Sequence, residues 1–337
     1  MHSGAHVAAF PEGSDPVIGM SGVSRRFNGL WAVRDVSMTV PAGSILGLIG
    51  PSGSGKTTTV RLLTGTLRPT HGEARVLGED PQRFRRQTRE RIAYMPQLFS
   101  LYPDLTAREN VGFVAALYGI SWFGRRGRIK RALSLVDLWD ARDRRAGDLS
   151  GGMQRRLELA CAIVHDPQVL FVDEPTAGID PMLRRAIWDE LRAMRDEGRT
   201  LLVTTQYVAE AEYCDHVALL VEGKLIALDA PEELRRSVFG GDVLQVDAEQ
   251  PIDPQLVANV PEVVAVQQAG DRRLIVTVTQ AGLATPRLIE AFRAAGVALV
   301  SVEEHQPSFD EVFSQLVERQ READQRDGDE IETSAHG

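Results

Sequence analysis

A chain of 337 residues, 43% of them apolar and with a formal net charge of −9, has material for one large globular domain or two modest ones. The acidic balance argues against a nucleic-acid partner held by bulk electrostatics, and no apolar run approaches the length that crosses a bilayer. The first residues have neither the basic nor the apolar region of a secretory signal, so secretion is not expected.

Residues 1–16 are small and polar, with Pro11 and Pro16, and read as a loose N-terminal tail. From residue 17 to about 237, short apolar runs alternate with helical patterns, the mark of an α/β domain. Ser44-Ile45-Leu46-Gly47-Leu48-Ile49-Gly50 is nearly continuous in apolar residues and suits a buried strand. It leads into Gly50-Pro51-Ser52-Gly53-Ser54-Gly55-Lys56-Thr57, followed by Thr58 and a helical run, which completes the phosphate-loop pattern in its proper context. Glycines let successive backbone amides turn toward phosphate oxygens at a helix start. Lys56 is expected to reach the terminal phosphates and Thr57 to offer its hydroxyl to magnesium.

Residues from about 98 to 165 carry several helical patterns and read as a helical insertion. Within it, Ser150 is placed to cap a helix, with Gly151 and Gly152 allowing close backbone approach. Val169-Leu170-Phe171-Val172-Asp173 and Thr200-Leu201-Leu202-Val203-Thr204-Thr205 again look like buried strands. Asp173 and Glu174 end the first of these, a costly place for two carboxylates without a task. A metal ion and an attacking water would supply one, Asp173 turned to magnesium and Glu174 positioning or deprotonating the water. Pro181 opens a helix that Gly198 closes. Cys161 and Cys214 fall in apolar stretches without partners at metal-ligand spacing and are expected as buried reduced thiols, which fits the cytosol.

After Gly240-Gly241 the composition shifts. Strand 242–249, helix 253–260, strands 262–268 and 272–279, helix 285–296 and strand 298–304 give a split βαβ order, a small α+β (ferredoxin-like) domain over residues 242–320. Thr285-Pro286 reads as a cap and first helical position. A last helix is expected from Ser308, with Glu311 completing a capping box. Phe309, Val312, Phe313, Leu316 and Val317 form its apolar face, which either covers the small domain or makes a dimer contact. Residues 321–337 are acidic and polar and read as a disordered tail.

A phosphate loop, a Ser150-Gly151-Gly152 helix start and an Asp173-Glu174 strand end, in that order, resemble the ATP-binding cassette (ABC) ATPases over roughly residues 17–237. The resemblance implies a P-loop fold with a RecA-like core, an antiparallel β subdomain and a helical subdomain. It implies ATP and Mg2+ as ligands, and a Ser-Gly-Gly segment that closes over the γ-phosphate held by a second cassette. One chain carries one loop and one such segment, so a homodimer would complete both sites. By the same resemblance Gln97, in Tyr94-Met95-Pro96-Gln97, touches magnesium and senses a membrane partner. Asp180 links the two sites. Phe27 stacks on adenine, although a core Phe at a strand end is an equal reading of the residue itself.

Two positions depart from the commonest family pattern. Met153 stands where Gln is usual, and Gln206 where His is usual; a glutamine amide still donates a hydrogen bond but carries no charge. With the Phe99-Ser100-Leu101-Tyr102 segment and the appended domain, these features resemble the daunorubicin-resistance-type ATPases of ABC-2-type exporters. The function implied is ATP hydrolysis that powers a separate membrane permease, for export of a drug, lipid or other hydrophobic compound, with the subunit cytoplasmic and peripheral at the membrane through that permease. A non-transport ABC ATPase or an ATP-sensing module is the alternative. Two basic patches, 83–91 and 125–131, read as solvated helix faces, with anionic lipid or a permease loop as the other option.

Overall fold

The computed structural model describes residues 6–7, 16–97 and 101–335, and the chain divides into two compact units, Met1–Asp229 and Ala230–Gly337. Most of the tail at 1–16 and three residues, 98–100, of the insertion and its Phe99-to-Tyr102 segment lie outside the described residues.

In the first unit β1 (His6–Val7), β2 (Ile18–Phe27) and β3 (Leu30–Val40) precede β4 (Ile45–Ile49), buried at every position as its unbroken apolar run requires. Next come α1 (Lys56–Leu63), β5 (His71–Val76), the single turn α2 (Arg86–Arg89) and β6 (Ile92–Met95). Three helices follow, α3 (Ala107–Leu117), α4 (Trp122–Leu135) and α5 (Gly151–Ile163). The unit closes with β7 (Val169–Asp173), α6 (Pro181–Asp196), β8 (Thr200–Thr205), β9 (His216–Val221) and β10 (Lys224–Asp229).

Among the described residues one sheet runs β1-β10-β9-β4-β8-β7-β6 and a second, antiparallel one runs β3-β2-β5. The four strands β4, β8, β7 and β6 are mutually parallel, so their carboxyl ends open on one edge, where α/β sheets place ligands. The apolar core beneath that edge joins Leu46 and Leu48 of β4, Val60 of α1, Phe171 of β7 and Leu202 of β8. Within the segment read as a loose tail, His6 and Val7 pair in parallel with Ala227 and Leu228, because β10 otherwise presents an open edge of backbone donors and acceptors.

Helix starts follow their caps. Thr106 and Glu109 close a reciprocal capping box at α3, and Asp180 accepts from Met182 N and Leu183 N ahead of Pro181 at α6. Both cysteines are free and buried, and burial pushes the Cys161 thiol up to about 12. Cys214 occupies space that only Gly47 leaves, since a Cβ there would sit 2.5 Å from its Sγ.

Glu190 of α6 faces Arg156 of α5 at 3.1 Å, yet burial first, then the charges of Asp137 and Asp189, raise its carboxyl to about 7. Between the ordinary carboxylate range and pH 7 the folded state therefore holds a proton that the unfolded chain has released, and stability falls as pH rises through that window. Glu190→Gln should flatten this slope and leave the variant no less stable than the parent at pH 8. Thermal unfolding followed from pH 5 to pH 8 checks it, and parallel curves for the two proteins would reject it.

In the second unit α7 (Pro231–Phe239) leads to β11 (Asp242–Ala248), α8 (Gln255–Ala258), β12 (Val263–Gly270), β13 (Arg273–Val278), α9 (Ala281–Ala294), β14 (Leu299–Glu304) and α10 (Phe309–Ala335). The sheet order β12-β13-β11-β14, antiparallel at each pairing, is the ferredoxin-like arrangement expected from the element order. Leu244, Val246, Leu274, Val276, Leu288 and Phe292 fill its core. α9 begins a turn before Thr285-Pro286, because the Asp242 carboxylate accepts from Ala281 N and Pro286 is carried inside the helix. Ser308 Oγ accepts from Glu311 N at the start of α10, and Phe309 and Val312 are buried beside α7, with the Arg235 guanidinium 5.8 Å from the Phe309 ring. α10 continues to Ala335, through the segment read from sequence as a disordered acidic tail.

Candidate functional site

The 50–58 loop leaves the buried end of β4 and turns into α1. Gly55, at φ 106°, is the N-cap of α1 and supplies no side-chain cap, so the first amides of the helix stay available to an anion. A Cβ at Gly55 would lie 2.3 Å from the Ala32 carbonyl, so β3 backs closely on the loop and only glycine fits. Lys56, 4% exposed, donates to the carbonyls of Gly50 (2.8 Å) and Pro51 (3.1 Å) and stands 3.4 Å from Glu174 Oε1.

Register decides what faces this loop. β8 lies between β4 and β7, and Thr204 pairs with Leu48 on one side and Asp173 on the other. The Thr204 hydroxyl donates to Asp173 Oδ1 (2.5 Å), and Thr57 Oγ1 donates to the same oxygen (3.3 Å). Asp173 Oδ2 is buried and has no hydrogen-bond partner, a costly condition for a carboxylate oxygen. Hydroxyl and carboxylate oxygens converging on an orphaned acceptor are a donor set that suits a hard cation such as magnesium.

Glu174 adopts a left-handed backbone, φ 49°, uncommon for a residue with a side chain. Such strain persists only where the surroundings over-determine it. Its N–H is shared between Thr204 O (3.1 Å) and Thr204 Oγ1 (3.0 Å), while its carbonyl accepts from Arg155 Nη2 (3.0 Å). Its carboxylate accepts from Gln97 Nε2 (2.8 Å). Gln206 follows β8, and its Oε1 accepts from the Ser52 hydroxyl (3.2 Å). Lys56, Thr57, Asp173, Glu174, Gln97, Gln206 and the loop thus form one hydrogen-bonded cluster at the carboxyl edge of the sheet.

Phe27, the Ser150-Gly151-Gly152 segment and Asp180, all expected at the site, stand apart from that cluster. Among the described residues, no hydrogen bond or ion pair joins Phe27, Ser150 or Asp180 to the 50–58 loop. Phe27 is 39% exposed at the end of β2, with the Arg25 guanidinium 4.6 Å from its ring. Ser150 Oγ caps α5 by accepting from Met153 N (3.3 Å). Gly152 is one close contact between α5 and α6, because a Cβ there would meet Leu183 Cδ2 at 2.1 Å.

Arg155 is absent from the sequence reading and sits at the centre of the site. From α5 its guanidinium donates to the carbonyls of Asp173 (3.3 Å), Glu174 (3.0 Å), Pro175 (3.0 Å) and Gln97 (3.4 Å), and pairs with Glu158 at 2.6 Å. Glu210 is a second omission. Buried after Gln206, it accepts from Thr176 Oγ1 (2.7 Å) and lies 3.4 Å from Arg184 of α6, whose guanidinium covers Tyr207 at 4.2 Å. No spacing rule marks either residue, since an arginine on a helix and a glutamate in a turn both read as solvent-facing.

A family profile described as "ABC transporter" matches residues 33–177, and one described as "ATP-binding protein DrrA1-3-like, C-terminal domain" matches residues 230–317. The Nod factor export ATP-binding protein I of Burkholderia lata is 40% identical over 230 residues, 68% of this chain and 76% of that protein. The daunorubicin/doxorubicin resistance ATP-binding protein DrrA of Streptomyces peucetius is 42% identical over 227 residues, 67% of this chain and 68% of that protein. A dimeric structure of a post-hydrolysis state of the ATP-binding cassette MJ0796 bound to ADP and Pi superposes with a TM-score of 0.57 at 25% identity, covering 63% of this chain and 98% of that one.

Proposed function

The chain belongs to the ATP-binding subunits of ABC transporters, ATPases among which it resembles the drug-resistance type, and from that premise we propose that it closes as a homodimer on two ATP molecules and drives a separate export permease. The observation that carries the reading is the division of its site. The Lys56–Asp173–Glu174 cluster lies beside one helix start and Ser150-Gly151-Gly152 forms a second, and among the described residues no hydrogen bond or ion pair joins that segment to the cluster.

In this reading the amides of Gly53, Ser54, Gly55, Lys56, Thr57 and Thr58 and the Lys56 ammonium hold the phosphates, with Gly50, Pro51 and Ser52 shaping the loop. Thr57, Asp173 and Gln97, through its amide oxygen, would hold magnesium. Bound there, the ion would supply neutralisation of the charge that develops on the phosphates. Glu174 orients and deprotonates the attacking water, held at its post by Gln97 and by its clamped backbone. Gln206, anchored on Ser52, serves as a neutral donor to the γ-phosphate. Ser150, Gly151 and Gly152 of the second subunit close over that phosphate, Asp180 links the two sites and Phe27 stacks on adenine. One relative is named for Nod factor export and another for daunorubicin/doxorubicin resistance, which supports export as the direction of transport; among the described residues no helix is long and apolar enough to cross a bilayer.

Gly151→Asp tests the dimer. A Cβ at Gly151 meets nothing within 4 Å, and a carboxylate in the first turn favours the helix, so the fold tolerates it. Facing a γ-phosphate from another subunit, the same carboxylate repels it. The variant should bind ATP as the parent does and fail to dimerise on ATP in light scattering, with permease-coupled turnover lost. An ATP-dependent dimer that survives the substitution would refute the reading. In the same assay Gln206→Ala should slow turnover, and unchanged activity would remove Gln206 from the site.

A further inference from the structure

The two basic segments differ once folded. In the first, Arg83 pairs with Asp80, Arg85 with Glu79 and Arg86 with Glu90, so much of its charge is neutralised locally. In α4 the sequence Trp-Phe-Gly-Arg-Arg-Gly-Arg-Ile-Lys-Arg-Ala-Leu-Ser-Leu carries five cations and no carboxylate, on a chain whose net charge is −9. Among the described residues, none of Arg125, Arg126, Arg128, Lys130 and Arg131 has a carboxylate at ion-pair distance. Arg125 and Arg128 donate to the carbonyls of Ile120 and His165, which satisfies their hydrogen bonds without cancelling their charge.

The same helix leaves two large aromatic side chains in solvent, Trp122 at 77% and Phe123 at 96% exposure. Ile129, Ala132 and Leu133 take the buried side. Phe123, Arg126 and Lys130 then follow at i, i+3 and i+7 on the outward stripe. Burying neither aromatic serves the core, and exposing both is a cost that a purely solvated face does not explain. Arg128 and Arg131 act on the Asp166 carboxylate only at longer range, and an aromatic pair at the head of a cationic helix without direct ion pairs is the composition of a segment that lies at a headgroup boundary.

We propose that the α4 face is a docking surface for an anionic lipid bilayer, Trp122 and Phe123 entering the headgroup region and Arg126, Lys130 and Arg131 meeting lipid phosphates. Charge complementarity selects this occupant. A diffuse negative surface matches cations spread around the helix, whereas a protein hot spot sets an aromatic in a pocket with charged groups depleted around it. The proposal concerns the surface alone and does not rest on the ATPase reading.

The test is flotation of the full-length protein with vesicles of phosphatidylcholine alone or mixed with phosphatidylglycerol, in low and high salt. The protein should float with the anionic vesicles only, and high salt should release it. Arg126→Glu with Lys130→Glu should weaken that binding by about tenfold or more, and Phe123→Ser should weaken it in low salt, each with ATPase activity unchanged. Trp122→Phe should still float but lose the part of the fluorescence quenching by brominated lipid that Trp122 contributes. Equal binding to neutral vesicles, or charge-reversed protein that floats like the parent, would overturn the proposal. So would a parent that ignores both vesicles while the α4 variants fail to co-purify with a permease, which would make the face a protein contact.

Discussion

Glu174→Gln is expected to keep ATP binding and to lower turnover by about 10²–10⁴-fold, the range for removing a positioned base. The substitution keeps the size of the side chain and an acceptor for Gln97 Nε2, which now bonds Glu174 Oε2 at 2.8 Å. Backbone strain at φ 49° is held by Thr204 and Arg155 through main-chain atoms, so the amide side chain inherits the same position. What is lost is the basic oxygen and its negative charge beside Lys56. Binding and chemistry should therefore separate. ATP affinity measured by titration should match the parent, single-turnover hydrolysis should collapse, and the ATP-bound dimer should accumulate in light scattering. Turnover equal to the parent's would exclude Glu174 from the reaction.

Arg155→Ala should be the most damaging change outside the residues expected to touch nucleotide. The side chain is nearly buried and supplies donors to four carbonyls, at Gln97, Asp173, Glu174 and Pro175, besides its pair with Glu158. Truncation leaves those carbonyls short of a donor and Glu158 without its partner. Burial already raises the Glu158 carboxyl above the ordinary carboxylate range, Arg155 opposing that rise, so the unpaired group is driven further toward its neutral form. Breaking a buried pair in this way costs about 3–5 kcal/mol. The functional effect should exceed the loss of stability, because Arg155 holds the backbone of Glu174 in its strained conformation and ties Gln97 to it. Turnover of the folded fraction should fall while ATP affinity changes little, and Arg155→Lys, with one ammonium in place of a fork, should restore stability better than turnover. Denaturant unfolding beside ATPase assays at a temperature where both proteins are folded makes the distinction. Normal turnover in folded Arg155→Ala would reduce Arg155 to a structural brace.

Legibility in the sequence tracked the range of the interaction. The phosphate loop, the capped starts of α5 and α6 and the buried strands β4, β7 and β8 are dictated by neighbours a few residues apart, through glycine conformation, side-chain caps and apolar runs. The ferredoxin-like unit was readable for the same reason, save the start of α9, which Asp242 sets from far along the chain. The Glu174 conformation, the bond between Gln97 and Glu174 and the Arg155 fork join segments that meet only after β6, β7 and α5 have packed.

By itself, then, the sequence determined which motifs this protein carries and in what order, and so which groups are proposed to meet nucleotide, because motifs are local solutions to binding phosphate at a helix start. Tertiary structure alone decided how those groups are held. It set the Thr204 register that aims Asp173, the clamp that strains Glu174, the separation of Ser150 from the loop among the described residues, and the contrast between a basic segment with ion pairs and one without them. Each depends on which carbonyls and carboxylates lie within hydrogen-bond distance. That is a property of packed backbones, for which spacing along the chain carries no signal.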